Sequence, residues 1–280
     1  MKKKMTAAQF QAAVKSDPAW ASKLTEPVEI TDYCDMSRSR ITHLSPLLHF
    51  TGKNQNGDAA CFESCDALGV AEGTFQGFVS FFDSGIVNIG DLLVTHPNQD
   101  GEAAEFIYCD YLRIAKGTFH GYVKFDCTGI REIGPLQITR PRNDGFAASF
   151  CLCDGLRAAR GVYPGSVDFL ASGIETIEEL QVTDADADGN AAFFKACKFL
   201  KIAEGRFPGF VDFSDSGIEK VENLHITREN AAGMRADFTN CPKIRILRQE
   251  WYTQNVKMDE LLWQEQRARK FLKSLPTLEL

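Results

Sequence analysis

The sequence predicts a repeat solenoid, a stack of coils built on short parallel strands, and three observations carry that expectation. Marker cysteines recur every 44 residues, at Cys65, Cys109, Cys153, Cys197 and Cys241. A Gly-Ile step keeps the same period at Gly85-Ile86, Gly129-Ile130, Gly173-Ile174 and Gly217-Ile218. Between them, short segments such as Ala71-x-Gly73 and Leu92-x-Val94 alternate with the period of two that marks a strand. A fixed period without insertions means a stacked array, because each unit must lay its apolar side on the next.

Each unit reads as two coils. The first is Phe62-x-x-Cys65-x-x-Leu68-x-x-Ala71-x-Gly73, and the second is Phe81-x-x-Ser84-Gly85-Ile86-x-x-Ile89-x-x-Leu92-x-Val94. Setting Ala71 beside Leu92 and Ala115 gives alternating spacings of 21 and 23 residues, with one strand per coil. Four full units occupy 57–100, 101–144, 145–188 and 189–232. A degenerate half-unit around Cys34 precedes them and another ends near Leu247, so about ten coils are expected over 28–247. Gly73, Gly77 and Gly85 are expected at corners. In the alternate coils the cysteine position is Ser84, Thr128, Ser172 or Ser216. Column cysteines then stand two rungs, about 10 Å, apart, beyond the reach of a disulfide. They read as small buried residues of a turn. Cys61/Cys65 and Cys151/Cys153 lack paired partners at zinc-ligand spacing.

Helical caps are expected at both ends, since an open solenoid exposes core and strand edges. In residues 1–27, Thr6 and Gln9 have capping-box spacing, and Phe10 and Val14 share one helical face. A second turn starts at Ser16-Asp17-Pro18 and holds Trp20, and Pro27 closes the segment. In 248–280 the period stops. Trp251, Val256, Leu261, Leu262, Trp263, Phe271 and Leu272 are spaced as in an amphipathic helix, with Pro276 beyond it. That helix is expected as a cap or, alternatively, as an element of self-association.

Composition narrows the function. A 44% hydrophobic content lets a chain of 280 residues bury a continuous core, and a net charge of −7 argues against nucleic acid, whose phosphates need a basic stripe. Lys2-Lys3-Lys4 has no apolar stretch behind it, and no run is long enough to span a membrane, so the expected compartment is the cytoplasm, or the outside by a route other than Sec. The five histidines are scattered, and neither a nucleophile elbow nor a phosphate loop is present, so no enzyme and no cofactor are expected. Asp184-x-Asp186-x-Asp188-Gly189 matches the first half of a calcium loop, but Lys195 stands where a bidentate Glu is needed. The same loop elsewhere reads Pro97–Gly101 and Arg142–Gly145, so a solvated turn is expected and no metal. Thr51, Thr95, Thr139, Thr183 and Thr227 close the second strand of each unit, where β-propensity and hydrogen bonding explain them.

The pattern Phe-x-x-Cys-x-x-Leu-x-x-Ala/Ile-x-Gly is carried best by Ala59-Ala60-Cys61-Phe62 with Cys65, Leu68 and Ala71, and by Ala191-Ala192-Phe193-Phe194 with Cys197, Leu200 and Ala203. It resembles the bacterial leucine-rich repeats of the BspA-like (Treponema-type) class, over roughly residues 34–247. It departs from them where Gly73 replaces the last aliphatic, and where every second coil carries Ser-Gly-Ile. The resemblance implies a right-handed leucine-rich-repeat-like solenoid whose parallel strands line one face, used for protein binding or adhesion and not for a reaction. An all-β solenoid is the alternative that the period leaves open. By strand alternation the outward positions are Glu72, Leu93, Lys116, Gln137, Arg160, Gln181, Glu204 and His225. This mixed face suits a protein partner. The expected function is a non-enzymatic interaction module that binds a partner there, the alternatives being a self-assembling structural component or an exported effector or adhesin.

Overall fold

The computed structural model describes residues 3–244 and 256–258. Within them the chain is a stack of parallel strands in a solenoid-like array with one α-helix near its start. Each coil runs through three sides. In the first full unit these are a long strand Val70–Phe75, a short strand Phe78–Ser80 and a turn through Phe81–Val87, after which the long strand Asn88–Val94 begins the next coil. The short strands form one 11-stranded sheet, and the long strands form a 7-stranded and a 4-stranded sheet on the adjoining side. Two strands per coil, on two sides, replace the expected single strand lining one face. The second one escaped the pattern because it is brief and built on small residues, as in Asp58–Cys61 and Glu102–Glu105.

The register also differs from the expected one. Ala71 pairs with Ile89 but Gly73 pairs with Leu92, because the second strand carries an extra residue at Gly90-Asp91. Leu93 then pairs with Thr118. The coil-to-coil steps therefore alternate between 19 and 25 residues, not 21 and 23. Gly73 sits within Val70–Phe75, opposite the bulge, at φ +109°, and not at a corner. Gly85 does serve a corner: a Cβ there would lie 2.0 Å from the Asp66 carbonyl oxygen, which is why Ser-Gly-Ile recurs.

Pairing is uneven along the long side. Inside a unit the two long strands are zipped along their length, as in Ile202–Phe207 with Lys220–Ile226. Between units the ladder shrinks to two pairs, as in Leu93-Val94 with Thr118-Phe119, or to one, Gln181 with Arg206, and none joins Glu132–Ile138 to Ala158–Tyr163. The short sheet runs on without a break, and so holds the units together.

The core is built on columns. Phe62, Phe81, Phe106, Phe125, Phe150, Phe169, Phe194, Phe213 and Phe238 stack ring on ring, with centroids 5.0–5.5 Å apart and planes within 13°. In every second rung Phe75, Phe119, Tyr163 or Phe207 meets this stack edge-on. The cysteine column is a hydrogen-bonded ladder. Cys109 Sγ donates to the Phe81 carbonyl at 3.1 Å and lies 3.5 Å from Ser84 Oγ, and Cys65, Cys153, Cys197 and Cys241 repeat the arrangement. All described cysteines are free thiols.

At the N-terminal end the helix Ala7–Ser16 starts with the expected capping box between Thr6 and Gln9, and buries Phe10 and Val14. A 3-10 turn, Trp20–Lys23, follows. Lys3–Met5, within the segment expected as a cap, is already a strand paired in parallel with Val28–Ile30. The expected C-terminal helix lies outside the described residues except at Val256–Met258. These three form a strand paired with Ala236–Phe238, which carries the short sheet one rung past Leu247.

Replacing Phe125 with Ala is expected to cost about 3–5 kcal/mol in urea unfolding. The same change at half-buried Phe82, outside the stack, is expected to cost about 1 kcal/mol. Equal costs would show that the ring column does not organise the core.

Candidate functional site

The outer surface of the long side is set by strand alternation. Each inward residue locks onto the core, so its neighbour faces out. All eight outward candidates are on this surface, but the bulge sorts them into two rows. Leu93, Gln137, Gln181 and His225 align with Thr74, Thr118, Val162 and Arg206 in one row running across the rungs. Glu72, Lys116, Arg160 and Glu204 stand two residues earlier, opposite the bulge. There Glu72 lies 3.4 Å from His43 Nε2 and Arg160 lies 3.4 Å from Glu178. Gln181, Glu204, Gly205, Arg206 and Asn223 border an open depression of about 560 Å3, where residues of both rows meet a concavity.

The other sequence candidates resolve into turn chemistry. Asp186 Oδ1 accepts the amides of Asp188 and Asn190, while its Oδ2 accepts Asn190 Nδ2. Asn54, Asn98 and Asn230 fill the same role in their units. Asp184 Oδ1 accepts the Ala185 amide. No group of three or more metal-binding side chains is present among the described residues. The threonine column ends each long strand by reaching back one coil: the Thr95 amide and Oγ1 both donate to the Phe75 carbonyl.

Two further surfaces were not among the sequence expectations. On the short sheet, Arg142 takes the loop position filled elsewhere by Asn or Asp. Its guanidinium lies 4.5 Å from the Tyr122 ring centroid and beside Glu102 and Asp144. Nearby carboxyls are desolvated: burial pushes Glu105, Asp126 and Asp168 above the ordinary carboxylate range, against the hydrogen bonds from Ser80, Ser149 and the Cys151 and Leu170 amides that hold them down. On the turn side, Tyr108, Tyr111, Leu152 and Phe199 are each more than half exposed. They occupy the positions written x in Phe-x-x-Cys-x-x-Leu. A column of turn residues in which Tyr and Leu replace Ser and Asp was the available clue.

Column thiols are poor nucleophiles, since burial pushes Cys109 and Cys197 up to about 11 and Cys153 up to about 12. No helix of the described residues is long and apolar enough to cross a membrane. No family model, curated protein or solved structure matches the chain.

Asp186→Asn is expected to change stability by less than about 0.5 kcal/mol, while Asp186→Ala costs about 1–3 kcal/mol. Millimolar calcium is expected to leave the melting temperature of the wild type unchanged, and a clear rise would restore the metal reading. A second expectation concerns pH. The folded-state pKa values of Asp126 and Asp168 are raised, so their stabilising contribution is complete below the ordinary value near 3.8 and is lost as pH rises through the raised values. Lowering the pH from neutral towards that value should therefore raise the contribution of these two groups, and Asp126→Asn with Asp168→Asn should flatten that part of the stability-against-pH profile. An unaltered profile in the double variant would show that these carboxyls are not linked to folding.

Proposed function

We propose that the chain is a non-enzymatic protein-interaction module that binds a partner on the outer face of its long-strand sheets. The observation that carries this reading is the contrast between inward and outward positions on the same strands. Inward, the Ala71 position is Ala115, Ala159 and Ala203 in the next units, all buried. Outward, the Leu93 row changes at every rung through Thr118, Gln137, Val162, Gln181, Arg206 and His225. A repeated frame with a varied outer row leaves the outer row free to specify a partner. The face offers hydrogen-bonding amides, apolar side chains and both signs of charge, which matches a folded protein better than a polyanion. The resemblance of the Phe-x-x-Cys-x-x-Leu repeats to BspA-like leucine-rich repeats supports the same reading, because arrays of that class are used for protein binding. A catalytic role finds no support in the column thiols, which burial keeps protonated.

The test places a photo-crosslinking amino acid at Gln137 or Gln181, with Asn143 on the loop edge as control, and irradiates each form in extract from the source cells. One heterologous protein is expected to be captured from both strand positions and not from Asn143. Capture of nothing but the chain itself, or equal capture from all three positions, would overturn the reading.

A further inference from the structure

We infer that the chain forms an antiparallel two-fold dimer through the turn side of its coils, centred on Cys127. The turn side is a ladder with one backbone hydrogen bond per rung. The Asp83 amide donates to the Ile107 carbonyl, Tyr108 to Asp126, Cys127 to Cys151 and Leu152 to Leu170, which fixes the order of the rungs. The residue donating each bond has a positive φ, a conformation suited to short polar side chains, and Ser64, Asp83, Asp215 and Asn240 fit it. Tyr108 at φ 60° and Leu152 at φ 57° do not, and each leaves half of its side chain in water. Bulky apolar residues held in a disfavoured conformation on the surface are a cost to the isolated chain that a contact surface would explain.

Charge and size along this side say what covers it. Three rungs before Cys127 stand Glu63 and Asp66, and three rungs after it stand Lys195 and Lys198, all exposed. A two-fold axis through Cys127, lying in the interface and across the coils, sets the acidic end of one copy on the basic end of the other, and makes every pairing twice. In the same register Phe82 meets Leu170 and Tyr108 meets Leu152 of the second copy. The two most exposed rings meet the two smallest positions of their column: Tyr111, at 62% exposure, faces Gly155, and Phe199, at 59%, faces Ala67. The aspartates Asp110 and Asp154 face each other in this register, an unfavourable pair, while Arg113 binds the Asp110 and Gly129 carbonyls and Arg157 the Gly173 carbonyl of their own chain. A parallel arrangement sets like on like along the whole ladder. A shift by one rung sets Glu63 on Ser214. Each loses the complementarity that the antiparallel register has. The long strands are a different side of the coil from this contact, so the inference does not rest on the proposed partner surface.

The test measures the mass of the full chain by light scattering at tens of micromolar, alone and with three variants at exposed positions. The wild type is expected to be a dimer that a short bismaleimide joins from Cys127 to Cys127. Glu63→Lys with Asp66→Lys is expected to weaken the dimer by roughly 10- to 100-fold, as is Lys195→Glu with Lys198→Glu. An equimolar mixture of those two variants, or one chain carrying all four changes, is expected to restore it. Circular dichroism confirms that each variant is folded. A monomeric wild type overturns the inference. So does a dimer that survives either charge reversal, which would belong to another surface, or one whose crosslinks avoid Cys127.

Discussion

Stacked phenylalanine rings set the geometry on which the rest of the molecule depends. Hydrogen-bonded strands fix the rung spacing near 4.8 Å, and flat rings are the side chains that fill that spacing face to face with a small offset. The column from Phe62 to Phe238 holds centroids at 5.0–5.5 Å, slightly more than the rung because the rings slide past one another. Every rung must bring its Phe to the same place, so the corner that follows must turn identically. The hydrogen bond made at each turn amide and the thiol or hydroxyl of the next residue are the means. A cysteine is suited to that position because it is small, tolerates burial and still donates weakly to a carbonyl.

Much of this was legible from the residues alone. The 44-residue unit, the alternation of Cys with Ser or Thr and the Thr6–Gln9 capping box all correspond to physical contacts: the hydroxyls lie 3.3–3.5 Å from the thiols of the next coil. The second sheet was not legible, since Ala59-Ala60 and Ala103-Ala104 have no β-propensity of their own and become strands only because a neighbouring rung pairs with them. Register was missed for a related reason. Alternation counts residues as if strands were straight, and the extra residue at Gly90-Asp91 shifts half of the pairing without leaving a mark in the period. The outward residues were found, but their sorting into two rows depends on that bulge.

Each coil has three sides with different tasks. The short sheet is continuous and ties the units into one body. It is also where desolvated carboxyls and the Arg142–Tyr122 contact are held, and these serve loop geometry. The long side is zipped along its length only within units, with one or two pairs or none between them, and it carries the varied outer rows. The turn side carries the apolar residues that the columns do not consume. Variation is thus confined to positions whose side chains leave the stack, and this is how a repeating frame admits specificity without losing its core.

The uneven zipping of the long side has a consequence for descent. A thiol corner always rests on a hydroxyl corner, and the loops at Asn54, Asn98 and Asp186 rest on loops two coils away, as the Gln99 amide on the Asn56 carbonyl shows. Duplicating or deleting a single coil would set like corners together and leave a loop with nothing beneath it. Duplicating a pair of coils reproduces every contact. A gene of this kind can therefore lengthen or shorten its product only in steps of two rungs, roughly 10 Å each. The molecule behaves as a ruler graduated in 44-residue marks, and relatives that differ in reach should differ by whole marks.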